Sequence, residues 1–116
     1  MNWRQLTSLK ELEAIQVLSH NPKLSGVLIF KHSTRCAMSS VALDRMERNW
    51  KVSDKQIHTY FLVLLLHRDI SNGIAATFDV VHESPQVLVI KNGECIYSAS
   101  HNSISSVTIV EVLGLR

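Results

Sequence analysis

Cys36 is the residue of this chain best placed for covalent chemistry, because a polar turn, Lys31-His32-Ser33-Thr34-Arg35, precedes it and a helical pattern follows. At a helix start the first backbone N–H groups lack intrahelical acceptors, and the helix dipole favours negative charge, hence a thiolate. Arg35 adds a neighbouring cation, and Lys31 and His32, one turn earlier, add positive potential as loop charges. Thiol–disulfide exchange also needs an accessible sulfur and a way to discharge the mixed disulfide that forms. A dithiol site discharges it with a second cysteine three residues on. In Cys36-Ala37-Met38-Ser39 that position holds a hydroxyl, so the site is monothiol and depends on an outside thiol. Thr34 can cap the helix, donate a hydrogen bond to the sulfur, or both. The other cysteine, Cys95, lies between Glu94 and Ile96 with no cation and no helix start beside it, which reads as a passive thiol. The six histidines are dispersed, and no Cys-x-x-Cys or His-x-x-x-His pair supplies metal-ligand spacing.

The elements that must position Cys36 follow from periodicity. Val27 to Phe30 is a continuous apolar run of the kind found in strands buried on both faces. Met38, Val41, Ala42 and Met46 recur three and four apart and predict an apolar face on the helix after Cys36. Upstream, residues 7 to 20 read as a helix capped by Thr7 or Ser8, with Leu9, Leu12, Ile15 and Leu18 on one face and Asn21-Pro22 at its end. Downstream, an interior strand is expected within Ile57 to Leu66 and a helix over Asp69 to Phe78, despite Gly73. Two such strands joined through a helix make a right-handed βαβ crossover. Val87 to Ile90 and Cys95 to Tyr97 flank Asn92-Gly93, the pair that accepts the positive φ angles of a type I′ hairpin. Ser103 to Leu113 is rich in β-branched residues but keeps Ile104, Val107, Val110 and Leu113 on one helical face. Topology favours a helix capped by Ser103 and stopped by Gly114.

Bulk properties restrict the class of function. With 116 residues the chain is one domain, residues 1–116, with a single core, and 46% hydrophobic and 19% charged residues are ordinary for a globular protein. A formal charge of +2, with twelve scattered Lys and Arg, gives no support for nucleic acid as a partner. The apolar run Tyr60 to Leu66 is far short of the roughly 20 residues that span a bilayer, so no membrane partner is expected. The N-terminus shows no basic region followed by an apolar block, which makes a cytoplasmic location the default. Two cysteines do not suggest a disulfide framework.

The order αβαβαββα, with a cysteine opening the helix after the first strand and a proline just before the hairpin, looks like the thioredoxin fold. That fold is α/β, a four-stranded mixed sheet flanked by helices. More narrowly, the chain resembles the YtxJ-like family of monothiol bacilliredoxins. The resemblance rests on Phe30-Lys31-His32-Ser33-Thr34-Arg35-Cys36 with Ser39-Ser40-Val41-Ala42-Leu43, on His67-Arg68-Asp69-Ile70-Ser71-Asn72, on His82-Glu83-Ser84-Pro85-Gln86-Val87, and on Lys91-Asn92-Gly93 with Ala99-Ser100-His101. One departure is Ala37, where related sequences tend to carry proline. Proline would rigidify the first helical turn, but alanine leaves the nucleophile in place.

The resemblance implies a thiol–disulfide oxidoreductase that removes a low-molecular-weight thiol, such as bacillithiol, from S-thiolated proteins, with Cys36 as catalytic nucleophile and no bound cofactor. It also implies that Pro85 is cis and faces the cysteine, and that the backbone of Ser84 pairs with the substrate chain. The substrate-binding set is then Thr34, Arg35, Ser39, Ser84 and Pro85. Arg68, Asp69 and Asn72 can meet a polar small thiol at the C-terminal edge of the sheet or form a helix cap network, and His101 is a weaker candidate. Two other readings remain open at this level: an iron–sulfur-binding carrier related to monothiol glutaredoxins, although the Gly-Phe pair of that group is missing after Cys36, and a non-catalytic thioredoxin-fold binding protein.

Overall fold

The apolar run at Val27 is the centre of a longer strand than its composition suggests. In the computed structural model, which describes residues 1–115, strand β2 spans Gly26–His32 and all seven of its residues are buried. Its neighbours explain why. In chain order the elements are β1 (Arg4–Gln5), α1 (Leu9–Leu18), β2, α2 (Ala37–Asn49), β3 (Ile57–Val63), α3 (Arg68–Phe78), β4 (Gln86–Lys91), β5 (Glu94–Ser100), a single 3₁₀ turn (His101–Ser103) and α4 (Ser106–Val112). The sheet order is β1-β3-β2-β4-β5. β1 and β2 run parallel to β3, whereas β4 runs antiparallel to β2 and to β5. β2 therefore has a partner on each edge and helices on each face.

Side-chain alternation divides the core accordingly. Val27 and Ile29, with Leu88 and Ile90 of β4, pack against Leu12 and Ile15 of α1 and Ile70, Ile74 and Phe78 of α3. Leu28 and Phe30, with Val87 and Val89, pack against Ala42 and Met46 of α2 and Ile109 of α4. A strand covered in this way has no solvent face, which is why its sequence shows no polar alternation.

Several expectations need correction. Among the described residues the sheet has five strands rather than four, because residues 4 and 5 add a short edge to β3. Two polar residues carry no periodic signal, and tertiary contacts hold them. Arg4 makes a bidentate pair with Asp54 at 2.9 Å, Leu6 N–H donates to Phe61 C=O, and Trp3 packs edge-on against Phe30 and Phe61. α4 begins later than expected, with Ser105 rather than Ser103 as its cap, the Ser105 hydroxyl accepting from the Thr108 N–H. Ile104 is buried from outside that helix, so it does not set the helical phase; Ile109 faces the core and Val107 is exposed. On α2 the buried stripe is Ser39, Ala42 and Met46, while Met38 and Val41 are exposed. Apolar periodicity alone does not register a stripe that begins with a buried serine.

Other expectations match the structure. Ser8 caps α1 and accepts from the Glu11 N–H at 3.2 Å. Gly73 lies where α1 and α3 approach, and a Cβ there would stand 3.0 Å from Leu9 Cδ2. The tip of the β4–β5 hairpin has φ of 52° at Asn92 and 78° at Gly93, the left-handed pair of a type I′ turn. That tip is tied to the end of α1, since Gly93 N–H donates to Ser19 Oγ at 2.8 Å.

Candidate functional site

At the C-terminal end of β2 the chain reverses through Ser33–Cys36, closed by the Cys36 N–H donating to Ser33 C=O at 3.2 Å. Thr34 and Arg35 form the exposed tip of this turn. Cys36 has extended backbone angles, φ −110° and ψ 114°, and is the N-cap of α2, its C=O accepting from the N–H groups of Ser39 and Ser40. Its side chain makes no capping hydrogen bond, and the first turn of α2 carries no acidic residue. The thiol is half-buried. A partly exposed sulfur therefore stands at a helix end whose positive dipole has no local carboxylate to compensate it.

Ser39 holds this turn in place. It is fully buried, its hydroxyl accepting from the Ser33 N–H at 3.1 Å and hydrogen-bonded to His32 Nδ1 at 2.7 Å. The residue expected to meet substrate is thus committed to the loop backbone. His32 packs against Phe61, ring centroids 5.2 Å apart, and burial pushes its pKa below the ordinary histidine value. It sits in the strand as a neutral partner for Ser39, not as a loop cation.

Lys31 is likewise a strand residue and fully buried. Alternation along β2 sends it to the opposite face from His32, towards α3. There Nζ lies 3.3 Å from His82 Nδ1, and Ser71 Oγ lies 3.2 Å from the same nitrogen. Burial lowers the Lys31 pKa to about 8. The His82 pKa is lowered first by burial and then by the positive charges of Lys31 and Arg68, with Glu83 opposing them. Ser71 and His82 stand in the blocks that carry the family resemblance, but the sequence assigns them no role, and no local signal links them to Lys31, since Lys31 and His82 are 51 residues apart.

The Ser84–Pro85 peptide bond is cis. The β2–β4 ladder ends at Lys31 opposite Gln86, so continuing that register by one residue puts Pro85 level with His32, beside the strand end that leads to Cys36. Ser84 falls outside the ladder, and its Oγ is buried without a hydrogen-bond partner among the described residues. His101, which is exposed, is tied to this corner through its N–H, which donates to Pro85 C=O at 3.1 Å. Arg68, Asp69 and Asn72 are exposed on the first turns of α3, and its N-cap, His67, makes no side-chain capping bond. Cys95 is remote from this corner, on β5. Its thiol donates to Tyr97 C=O at 3.3 Å, and burial raises its pKa. A cavity of about 540 Å³ lies at the other end of the sheet, lined by Asn49, Gln56, Val110 and their neighbours and not by Cys36.

Residues 4–109 match a family described as monothiol bacilliredoxin BrxC. The chain belongs to the monothiol bacilliredoxin family. The matched stretch contains Cys36, Ser39 and the cis-proline corner. A solved structure described as a candidate oxidoreductase with a thioredoxin fold is 28% identical, with a TM-score of 0.73 over 93% of this chain and 90% of that one. Thioredoxin from Malassezia sympodialis superposes with a TM-score of 0.72 at 12% identity, covering 97% of this chain and 89% of that one. Mitochondrial thioredoxin 3 from Saccharomyces cerevisiae gives 0.67 at 13% identity, over 97% and 93%. These two share the fold. The bacilliredoxin family and the oxidoreductase neighbour make the chain a thioredoxin-like redox protein.

Proposed function

We propose that the protein reduces S-thiolated proteins by a one-cysteine exchange on Cys36, with bacillithiol as the small thiol. The observation that carries this reading is the half-buried Cys36 at the start of α2 with a buried serine, not a thiol, three residues on. The Cys36 thiolate attacks the small-thiol sulfur of a protein–S–S–small-thiol disulfide. The bond to the protein sulfur breaks, the protein leaves as a thiolate that takes up a proton, and a disulfide joins Cys36 to the small thiol. A second small thiol, as thiolate, then attacks the sulfur of its own kind, releasing the symmetrical small-thiol disulfide and the Cys36 thiolate. Because Ser39 cannot displace the small thiol from within the chain, the mixed disulfide persists until an outside thiol arrives. No bound cofactor is required, and the small thiol is a co-substrate.

Thr34 and Arg35 at the exposed tip are available to the incoming disulfide, and Ser84, outside the β4 ladder, has backbone available to an extended substrate segment. Cytoplasmic action fits this chemistry, since reducing compartments supply the thiol. Incubation with bacillithiol disulfide followed by intact-mass measurement tests the reading. One small-thiol mass on Cys36, absent in Cys36→Ser, is expected. An adduct confined to Cys95 would refute it.

A further inference from the structure

A fully buried lysine ammonium requires a partner, because an uncompensated charge in a protein interior is costly. Lys31 Nζ forms no ion pair among the described residues. Its hydrogen-bond partner is His82 Nδ1, and Ser71 Oγ, also buried, reaches the same nitrogen. An ammonium from β2 and a hydroxyl from α3 thus converge on one ring nitrogen. His82, which carries that nitrogen, is an exposed residue on the segment between α3 and the cis-proline corner. The charges around the cluster are Arg68, which adds positive potential at His82, and Glu83, which opposes it.

We propose that Lys31 and Ser71 form a carboxylate subsite for the small thiol, with the His82 ring as its placeholder. This rests on the reading of Cys36 as the exchange centre. A carboxylate oxygen at the position of His82 Nδ1 accepts from the ammonium and the hydroxyl together. It supplies the buried cation with the counter-charge it lacks, and charge-assisted bonds of this kind exceed a bond to a neutral ring. The location is appropriate. Lys31 is five residues before Cys36 on the strand that leads into the cysteine turn, a span of at most about 18 Å even if fully extended, and the Ser33–Cys36 reversal shortens it. His82 is two residues before Ser84. Lys31 and Cys36 thereby lie at the same end of the sheet, Lys31 on its α3 face and Cys36 at the start of α2 on the other, so a cysteine-derived thiol held at the sulfur reaches the subsite with its carboxylate around the end of β2, whereas a thiol without a carboxylate meets only the sulfur.

The test compares glutathione disulfide, which carries carboxylates, with 2-hydroxyethyl disulfide, which carries none. Transfer to Cys36 is followed by mass spectrometry for the wild type, Lys31→Met and His82→Ala. Lys31→Met is expected to slow transfer from glutathione disulfide about tenfold and to leave 2-hydroxyethyl disulfide within about twofold; His82→Ala keeps the wild-type preference or raises it. Equal loss on both disulfides, or no loss on either, overturns the proposal. A second measurement does not need a reactive Cys36. Titration of Cys36→Ser with S-methylglutathione is expected to shift the His82 ring resonances, and adding Lys31→Met is expected to abolish the shift. If Cys36 takes up no small thiol but this shift is present, the exchange reading fails and the subsite stands. If the shift is absent, the subsite fails whatever Cys36 does.

Discussion

Replacing Lys31 by methionine should stabilise the protein, by an amount that depends on pH in a defined direction. The folded-state pKa of Lys31 is lowered from 10.5 to about 8 because burial disfavours the ammonium. That difference corresponds to about 3 kcal/mol against the charged form, and because the side chain is fully buried, solvent does little to reduce it. Below pH 8 the folded and unfolded chains both hold the proton, so the full cost is present in the folded state. Between pH 8 and 10.5 the folded protein releases the proton while the unfolded chain retains it, and stability rises with pH. Methionine has a similar length, no proton and no desolvation cost. Lys31→Met is therefore expected to exceed the wild type by about 2 to 3 kcal/mol at pH 7, with the gap shrinking steadily as pH is raised to 10. Tyr60 and Cys95, whose pKa values burial raises, add their own dependence on alkaline pH. Both are present in the two proteins and cancel in the difference. Urea unfolding of both proteins at pH 7, 8, 9 and 10 provides the measurement. Parallel stability curves, or a Met variant that is less stable at pH 7, would refute the account of Lys31 as a desolvated ammonium.

Two further perturbations address the scaffold. Ser39→Ala leaves the Ser33 N–H without its acceptor and His32 Nδ1 without its partner, so a loss of about 2 kcal/mol in urea unfolding is expected; a loss under about 0.5 kcal/mol would show that the hydroxyl does not hold the cysteine turn. Trp3→Ala removes the edge-on contacts with Phe30 and Phe61 at 5.9 and 5.5 Å, and about 2 kcal/mol of stability is expected to go with them. Amide exchange at Leu6, whose N–H bonds Phe61 C=O, should rise more than exchange at Ile29 on the central strand. Uniform change at both would sink the view that Trp3 pins β1.

The sequence by itself determined the parts of this protein that depend on neighbours along the chain. Asn92-Gly93 specifies its hairpin because few residues accept two successive positive φ angles. Ser8 and Glu11 start α1 through contacts three and four residues apart. The apolar block at Val27 marks a strand covered on both faces, and Cys36 with Ser39 defines a one-thiol site from spacing alone. Only the tertiary structure decided what depends on distant partners. The two residues of β1 are a strand because Asp54 and Phe61 lie beside them. Lys31 and His32 look like loop charges until α2, α3 and the segment before Pro85 enclose them, one against Ser71 and His82, the other against Ser39 and Phe61. Ser39 looks like a missing thiol until its burial shows it fastening the turn. Local propensity acts through covalent spacing, which the sequence contains. Burial and the convergence of polar groups on one point act through space, and the packing of strands and helices distant in sequence creates both.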